Sequence, residues 1–290
     1  MIKTKEQLQE IRERMQKKIA LREAEHGADT AEASSRLQML ICRGTGCTSS
    51  RSDEIMHLLQ DKLKERGIDD VEVTLVGCFG FCGEGPIVKV MPDNVFYVHV
   101  TPEDVDELID THVIKGEHVE HLLFTDPRTE EKIHNHHDMA FYEKQGRVAL
   151  RHCGLIDPEN VEEYIAYGGY EPLVDCITNK TQEEVIQVMK DSLLRGRGGA
   201  GFPTGRKWES AFVVNDCNGD EGDPGAFMDR SILEGDPHSV LEAMAICGYA
   251  IGADKGFIYV RAEYPIAIKR CEIAIAQAKE HGLLGKNILG

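Results

Sequence analysis

Apolar and polar positions follow a pattern that predicts helices and short strands in alternation along most of the chain. Residues 5–25 place Leu8, Ile11, Met15 and Ile19 at three- and four-residue steps among charged side chains, which predicts a helix with one narrow apolar stripe. The sequence leaves open whether this stripe packs on its own domain or on another subunit.

The next segment alternates strands and helices in the order of a small α/β domain. An apolar strand ending at Cys42 precedes a helix that starts at Ser52 and carries Ile55, Leu58, Leu59 and Leu63 on one face. A second strand at 71–77 and a hairpin across 86–100 follow, and Thr101 with Pro102 begins another helix. This order resembles that of thioredoxin.

Residues 115–150 lose this regularity, and we interpret 121–150 as a linker. Its histidines, together with those just before it, could bind zinc, but a solvated linker is the simpler interpretation; they are His118, His121, His134, His136 and His137. Beyond residue 150, helices are predicted at 157–169, 181–194, 235–256 and 265–282, with a strand at 257–260. Such alternation predicts a second, layered α/β domain.

Charge and cysteine content narrow the classes of function. The net charge of −17 argues against nucleic acid as a partner. Neither a signal peptide nor an apolar run of membrane-spanning length is found, so we expect no membrane association and a cytoplasmic location. Because cytosolic thiols stay reduced, clustered members of the nine cysteines are better interpreted as metal ligands than as disulfides.

Four cysteines form two close pairs, each just after a predicted strand. Four residues separate Cys42 from Cys47, and three separate Cys78 from Cys82. Glycines in both loops would let the backbone approach a cluster and donate amide hydrogen bonds to its sulfides. The unequal spacings favour a [2Fe–2S] cluster over a four-thiolate zinc site, and either over four unrelated buried cysteines.

The spacing C-x₄-C followed by C-x₃-C in this setting resembles the [2Fe–2S] ferredoxin subunit of respiratory NADH dehydrogenase and its soluble relatives. The resemblance covers residues 35–120. It implies that the four paired cysteines hold a [2Fe–2S] cluster in a thioredoxin-like domain.

The stretch LLRGRGGAGFPTGRKW, residues 193–208, combines glycines with cations and contains no acid. It matches G-x-G-x-x-G at Gly196, Gly198 and Gly201, but a predicted helix precedes it where the dinucleotide fingerprint needs a strand. A Walker A loop is also excluded, because Arg206 follows Gly205. The remaining interpretation is a loop whose backbone amides wrap phosphate. Positive charge would come from Arg195, Arg197, Arg206 and Lys207, and flat faces for a ring from Phe202 and Trp208. A flexible solvated loop is the alternative.

Together with the segment 218–230 and the helix at 235–256, this loop resembles the FMN- and NADH-binding subunit of the same enzymes. The resemblance implies that Gly196, Arg197, Gly198, Gly199, Gly201 and Lys207 lie at the cofactors, with Phe202 on the NADH adenine. It implies flavin contacts for Asn218, Asp220 and Glu221, and it places Asp223 near the adenosine ribose, where an acid would repel the extra phosphate of NADPH.

The predicted fold class is therefore α/β, a thioredoxin-like [2Fe–2S] domain followed by a layered FMN/NADH-binding domain. The expected boundaries are an N-terminal helix in 1–34, the ferredoxin domain in 35–120, the linker in 121–150 and the flavin domain in 151–290. A family member of this kind extends further, so we expect the sequence to be the N-terminal part of a longer protein whose remainder adds [4Fe–4S] clusters.

Fusion of both modules is typical of soluble relatives, above all the NAD-binding beta subunits of electron-bifurcating [FeFe]-hydrogenases. The resemblance implies electron transfer between NADH, FMN and iron–sulfur clusters, because a flavin can accept an electron pair and release single electrons. Implied partners are a catalytic iron–sulfur subunit, a small ferredoxin-like subunit and ferredoxin. Diaphorase subunits of NAD-dependent formate dehydrogenases or complex-I-type dehydrogenases are the alternative, and a non-catalytic electron-transfer or assembly subunit is a third possibility.

Overall fold

A computed structural model describes residues 1–23, 33–197, 199–211, 215–219 and 227–289 of the chain. The four-stranded sheet of the first domain has the order β2-β1-β3-β4. Its strands are β1 (Leu37–Cys42), β2 (Val71–Val76), β3 (Val88–Met91) and β4 (Val95–Tyr97). β1 is parallel to β2 and antiparallel to β3, and β3 pairs with β4 as the predicted hairpin.

The helices predicted for this domain begin close to the predicted positions, and a short helix after β1 is an addition to the prediction. The helices of the domain are α2 (Thr45–Ser49), α3 (Ser52–Glu65) and α4 (Val105–Glu107), and α4 continues as a π-helical turn over Leu108–Lys115. The carboxylate of Asp104 accepts a hydrogen bond from the backbone N–H of Thr101 at 2.7 Å, which closes the start of the last helix. The apolar face of α3 packs on the sheet through Ile55, Leu59 and Leu63.

The first helix, α1 (Lys5–Glu23), packs within its own chain. Leu8 shares a buried cluster with residues of the second domain, and Arg22 forms a fully buried ion pair with Glu163 at 2.6 Å. The side chain of Arg22 also donates to Gln38 of β1 at 2.9 Å. α1 therefore ties both domains together, and its apolar stripe is covered by its own chain.

Residues 121–150, which the sequence analysis interprets as a linker, are folded in the structure. This segment forms a small hairpin of β5 (Phe124–Thr125) and β6 (Lys132–Ile133) and a short helix α5 (Ala140–Glu143). Met139 and Tyr142 are buried in the same apolar cluster as Cys42 and Cys47. Aromatic packing holds the segment on the sheet, but its apolar residues do not recur with a helical or strand period. The sequence therefore predicts a linker there.

The second domain is mainly helical in the part of the chain that the structure describes. Its helices are α6 (Val161–Ala166), α7 (Glu171–Asn179), α8 (Gln182–Asp191), α9 (Thr204–Ser210), α10 (Met228–Gly235), α11 (Pro237–Ile251) and α12 (Pro265–Glu280). Two parallel strands, β7 (Asn215–Gly219) and β8 (Gly256–Val260), complete it. Side chains cap the N-termini of α8 and α11, because Thr181 accepts a hydrogen bond from the Glu184 N–H and Asp236 accepts one from the Ser239 N–H. Four elements are additions to the prediction, namely α7, α9, α10 and β7.

A buried polar network fastens α11 to α6 and α7. Glu242 accepts hydrogen bonds from the Tyr164 hydroxyl at 2.5 Å and from the backbone N–H of Tyr170 at 2.9 Å. His238 pairs with the Tyr170 hydroxyl at 2.8 Å and with Gln277 of α12 at 3.2 Å. No described helix is both long and apolar enough to cross a bilayer.

Candidate functional site

The two cysteine pairs meet at one edge of the first sheet. Because β1 and β2 are parallel and Cys42 lies opposite Val76, the loops that follow the two strands leave from the same edge. Cys42 is the last residue of β1 and Cys47 lies in α2, while Cys78 and Cys82 follow β2. Strand pairing thus brings together two pairs that thirty residues separate in the sequence.

The four thiols contact one another in succession. Cys47 and Cys78 both lie beside the thiol of Cys42, and the sulfurs of Cys78 and Cys82 lie 3.5 Å apart. Among the described residues, no three histidine, cysteine or acidic side chains are grouped as ligands of a single metal ion. Thiolates from two converging loops are the ligand type that a [2Fe–2S] cluster needs.

Glycines make the close approach of these loops possible. A Cβ atom on Gly44 would lie 2.9 Å from the Cβ of Cys78, and one on Gly85 would lie 2.6 Å from the sulfur of Cys47. Neither distance is compatible with an ordinary side chain, so both positions require glycine for space. Gly83, by contrast, has open space around its Cα.

Backbone amides and burial set the chemistry of the thiols. Gly80 N–H donates to the Cys78 sulfur at 3.2 Å, and Gly44 N–H donates to Cys42. The Cys47 thiol, and then burial, raise the pKa of Cys42 to about 12, whereas the hydrogen bond to Cys42, and then burial, raise the pKa of Cys78 to about 11. The thiols of Cys42 and Cys78 therefore keep their protons until a cation replaces them. The residues fit a [2Fe–2S] cluster by donor type, by space and by amide donors.

The four paired cysteines differ in their exposure to solvent. Cys42, Cys47 and Cys78 are buried and Cys82 is exposed. The buried side lies in an apolar cluster that includes Phe79, and the Phe79 and Phe96 rings meet edge to face at 5.3 Å. One edge of a bound cluster would consequently face the surface at Cys82, and the rest would be shielded from water.

Contacts that the sequence did not suggest support the second cysteine loop. The backbone oxygen of Phe79 accepts hydrogen bonds from the Tyr142 hydroxyl at 3.1 Å and from Arg147, whose guanidinium also lies over the Tyr142 ring. Tyr142 and Arg147 both lie in the segment 121–150, which the sequence analysis interprets as a linker. Neither belongs to a spacing motif, so no sequence signal identified them.

The glycine loop of residues 194–204 is closed at its base and exposed at its tip. Gly196 N–H donates to the Phe202 oxygen and Thr204 N–H to the Leu194 oxygen, both at 2.9 Å. Gly199 and Gly201 have φ angles of +98° and +59°, which favour glycine. The side chain of Phe202 is 56 % exposed and Arg197 is exposed. The loop therefore presents backbone, a cation and a flat ring to solvent.

The helix that follows the loop fixes its position. A Cβ on Gly205 would lie 2.6 Å from the backbone nitrogen of Lys190, so α9 packs on α8 directly through this glycine. Lys207 is exposed on α9. Burial raises the pKa of the Cys247 thiol on α11, and the nearby Lys207 ammonium opposes that rise.

The structure describes only part of the acidic half of the predicted flavin site. Gly198, Asp220, Glu221 and Asp223 lie outside the described residues, and Asn218 is described only as a backbone position in β7. Their roles stay predictions. The described site residues Gly196, Arg197, Gly199, Gly201, Phe202 and Lys207 share one loop and the start of one helix.

Two families match the chain. Residues 29–112 match the thioredoxin-like [2Fe–2S] ferredoxin family, and residues 189–288 match the Nuo51 FMN-binding domain. The first match includes all four paired cysteines, and the second includes the whole glycine loop and the predicted acidic segment.

Individual relatives agree with this division. The NADP-reducing hydrogenase subunit HndC of Solidesulfovibrio fructosivorans is 59% identical over 155 residues, which is 51% of this chain and 31% of HndC. The F subunit of the NADH-quinone oxidoreductase of Aquifex aeolicus is 49% identical over 138 residues, which is 45% of this chain and 32% of that protein. The chain thus spans about a third of the length of these relatives.

Solved structures resemble the chain as well. A thioredoxin-like [2Fe–2S] ferredoxin from Aquifex aeolicus is 31% identical and covers 32% of this chain and all of its own, with a TM-score of 0.30. An NAD+-reducing [NiFe]-hydrogenase is 19% identical and covers 96% of this chain and 49% of its own, with a TM-score of 0.39. From the two family matches, the chain contains a thioredoxin-like [2Fe–2S] ferredoxin domain followed by a Nuo51 FMN-binding domain.

Proposed function

We propose that the protein carrying this chain is the NAD(H)-oxidising and NAD(H)-reducing flavin subunit of a soluble, cytoplasmic, multi-subunit electron-transfer complex. Electrons would pass between NADH, FMN and iron–sulfur clusters. The observation that carries the proposal is the convergence of Cys42, Cys47, Cys78 and Cys82 at one sheet edge, in the same chain as an FMN-binding domain.

Each half of the chain would contribute a distinct task. The amides and cations of the glycine loop would hold phosphate, and Phe202 would stack on the adenine of NADH. When bound, FMN accepts two electrons as a hydride and releases them singly. The cysteine loops would hold the one-electron carrier in an apolar shell that excludes water on all sides except that of Cys82. No side chain of the chain needs to act as nucleophile or general base.

The complex we favour is an electron-bifurcating hydrogenase that uses NAD(H) and ferredoxin. Its further subunits would be a catalytic iron–sulfur subunit and a small ferredoxin-like subunit, and [4Fe–4S] clusters would lie in further parts of the protein. Support comes from the hydrogenase subunit among the relatives. A complex-I-type dehydrogenase is the second candidate, since several relatives are F subunits of NADH-quinone oxidoreductases.

The nucleotide preference is a separate part of the proposal. Asp223 would disfavour the extra phosphate of NADPH, so we propose NADH as the substrate, although HndC is named as NADP-reducing. Parallel reduction with NADH and NADPH at equal concentration measures the preference directly. A faster rate with NADPH would contradict the role given to Asp223.

The decisive experiment is electron paramagnetic resonance on the native complex, purified anaerobically and compared before and after NADH, with iron and flavin quantified on the same sample. A rhombic [2Fe–2S] signal that appears with NADH, together with bleaching of the flavin absorbance, is the expected result. Zinc in place of iron would overturn the ferredoxin assignment. A cluster that ignores NADH in a protein without flavin would leave a non-catalytic electron-transfer or assembly subunit.

A further inference from the structure

Glu234, near the end of α10, is a charged residue of the second domain that is buried against the cysteine loops of the first. Its side chain is 1 % exposed overall. A carboxylate removed from water to this extent is stable only when donors surround it. Its hydrogen-bond donors come from the loop that carries Cys42 and Cys47, and a cation of its own helix lies nearby.

Thr45 provides the contacts from the cysteine loop. Its backbone N–H donates to Oε2 of Glu234 at 3.0 Å, and its hydroxyl donates to Oε1 at 2.5 Å. Thr45 is the first residue of α2, the short helix that contains Cys47. Glu234 therefore fixes, by two hydrogen bonds, the loop in which half of the thiols lie.

α10 reaches the other cysteine loop as well. A Cβ on Gly77, the residue before Cys78, would lie 2.5 Å from the Cα of Gly235, so the two backbones are in direct contact. Arg270 of α12 donates to the backbone oxygen of Glu234 at 2.5 Å and secures the end of α10. The end of α10 is thus clamped between both cysteine loops and the body of the second domain.

Charge accompanies this packing. The Nε of Arg230, one helical turn before Glu234, lies 3.8 Å from Oε1 of Glu234. Glu234 contacts Thr45, which lies two residues before Cys47, and Gly235 contacts Gly77, which directly precedes Cys78. Glu234 and its neighbour Arg230 consequently lie beside the loops that carry the thiols, so their charges act on the group that the four thiols hold.

We propose that Glu234 is a positioning residue of the iron–sulfur site, which fixes the Cys42–Cys47 loop against α10 and, with Arg230, sets the reduction potential of the cluster. The inference rests on the proposed function, since it assumes that the four cysteines hold a [2Fe–2S] cluster. Reduction adds a negative charge to the cluster, so a buried carboxylate nearby disfavours the reduced state and a nearby guanidinium favours it. The two residues therefore act in opposite directions.

The test is a redox titration of the [2Fe–2S] signal in the native complex and in three variants of it. Glu234→Gln keeps the size of the side chain and an oxygen acceptor for Thr45 but removes the charge, and it should shift the midpoint potential upward. Arg230→Gln should shift it downward. Glu171→Gln, which neutralises a carboxylate paired with Arg12 of α1 at 2.9 Å, is the control and should titrate like the unmodified protein.

Opposite shifts in the two variants, with the rhombic signal retained, support the proposal, because a purely structural role would not reverse sign. Unchanged potentials, or shifts in the same direction, overturn it while leaving the cluster assignment intact. If Glu234→Gln fails to assemble, Arg230→Gln decides alone: a downward shift supports the proposal and an unmoved potential overturns it. An unmodified protein without any [2Fe–2S] signal would instead refute the proposed function itself.

Discussion

The two candidate cofactor sites of this chain differ in how far the protein encloses them. At the cysteine site three of four thiols are buried, glycines bring the loops into contact, and α10 clamps them from outside. At the glycine loop the tip is exposed, with Phe202 at 56 % and φ angles at Gly199 and Gly201 that favour glycine. Both sites depend on glycine, but one uses it to close a pocket and the other to keep backbone accessible.

The difference matches the cofactors that the two domains are expected to hold. A cluster bound by four thiolates stays with the protein, so its ligands are held in place before it arrives. A nicotinamide nucleotide has to enter and leave at every turnover, so an open loop suits it. Substitutions at the first site should therefore abolish a cofactor, whereas those at the second should weaken binding by degrees.

Cys78→Ser should produce the largest effect. Loss of one of four thiols leaves the iron site incomplete, so the [2Fe–2S] signal should disappear and the iron content should fall, while hydride transfer from NADH to FMN continues. Electron paramagnetic resonance and NADH-driven flavin bleaching on the same preparation separate the two effects. Loss of both would contradict the independence of the two sites.

Cys153→Ser is the matched control for this change. Cys153 is also buried and its sulfur contacts the Ser231 oxygen at 3.7 Å, but it belongs to neither pair. Its variant should keep the full cluster signal. Iron loss here would mean that the ligand set has been assigned wrongly.

Gly85→Ala should lower the iron content without removing a ligand. The added Cβ would lie 2.6 Å from the Cys47 sulfur, so the loop or the thiol has to move. Gly83→Ala, two residues earlier and with open space, should leave the iron content unchanged. Iron per protein, measured after identical purification, compares the two variants, and equal values would show that the loops are not closed as described.

The cysteine site was predictable from sequence because each pair follows an apolar strand, and the ends of parallel strands meet. The contact between Thr45 and Glu234 was not, since 189 residues separate them and no spacing rule connects them. α10 also lacked a start signal, because Phe227 precedes it in a left-handed conformation and its side chain provides no cap. Tyr142 was missed for a similar reason: it is buried by packing on aromatic rings rather than by a periodic pattern.

Lys207→Ala should have an intermediate effect. An ammonium that binds phosphate contributes through a charged hydrogen bond of about 1.5–3 kcal/mol, so its loss should weaken FMN binding roughly ten- to a hundredfold. Titration of the flavin-depleted protein with FMN, followed by flavin fluorescence, gives the dissociation constant, and NADH-driven dye reduction should fall in parallel.

Lys180→Ala provides the comparison for this variant. Lys180 belongs to the same domain and forms an ion pair with Asp175 at the end of α7. The Lys180→Ala variant should bind FMN with unchanged affinity, because the Lys180 ammonium pairs with Asp175 and not with the glycine loop. A similar loss of affinity in both variants would indicate a general effect of net charge and not a phosphate contact.

Phe202→Ala should be milder and selective. Stacking of a ring on adenine contributes about 0.5–1.5 kcal/mol, so the KM for NADH should rise a few-fold while FMN content is retained. Steady-state dye reduction over a range of NADH concentrations separates KM from kcat. An unchanged KM together with lost FMN would place Phe202 at the flavin and away from the adenine.

The pH dependence of stability tests whether the body of the second domain is as closed as the cysteine site, in contrast to its open glycine loop. Burial lowers the pKa of His238 to about 4 from its ordinary value near 6.5. The unfolded chain therefore binds a proton at a pH where the folded chain does not, and the stability that neutral His238 contributes is present above pH 6.5 and is lost as the pH falls toward 4. At pH 5 the loss is about 2 kcal/mol.

His238→Gln should flatten the fall of Tm between pH 6.5 and 4, even if it lowers Tm overall. His57→Gln, a substitution of an exposed histidine, should retain the original curve. An unflattened curve for His238→Gln would mean that water reaches the interior between α7, α11 and α12, and the contrast between a closed body and an open loop would then fail.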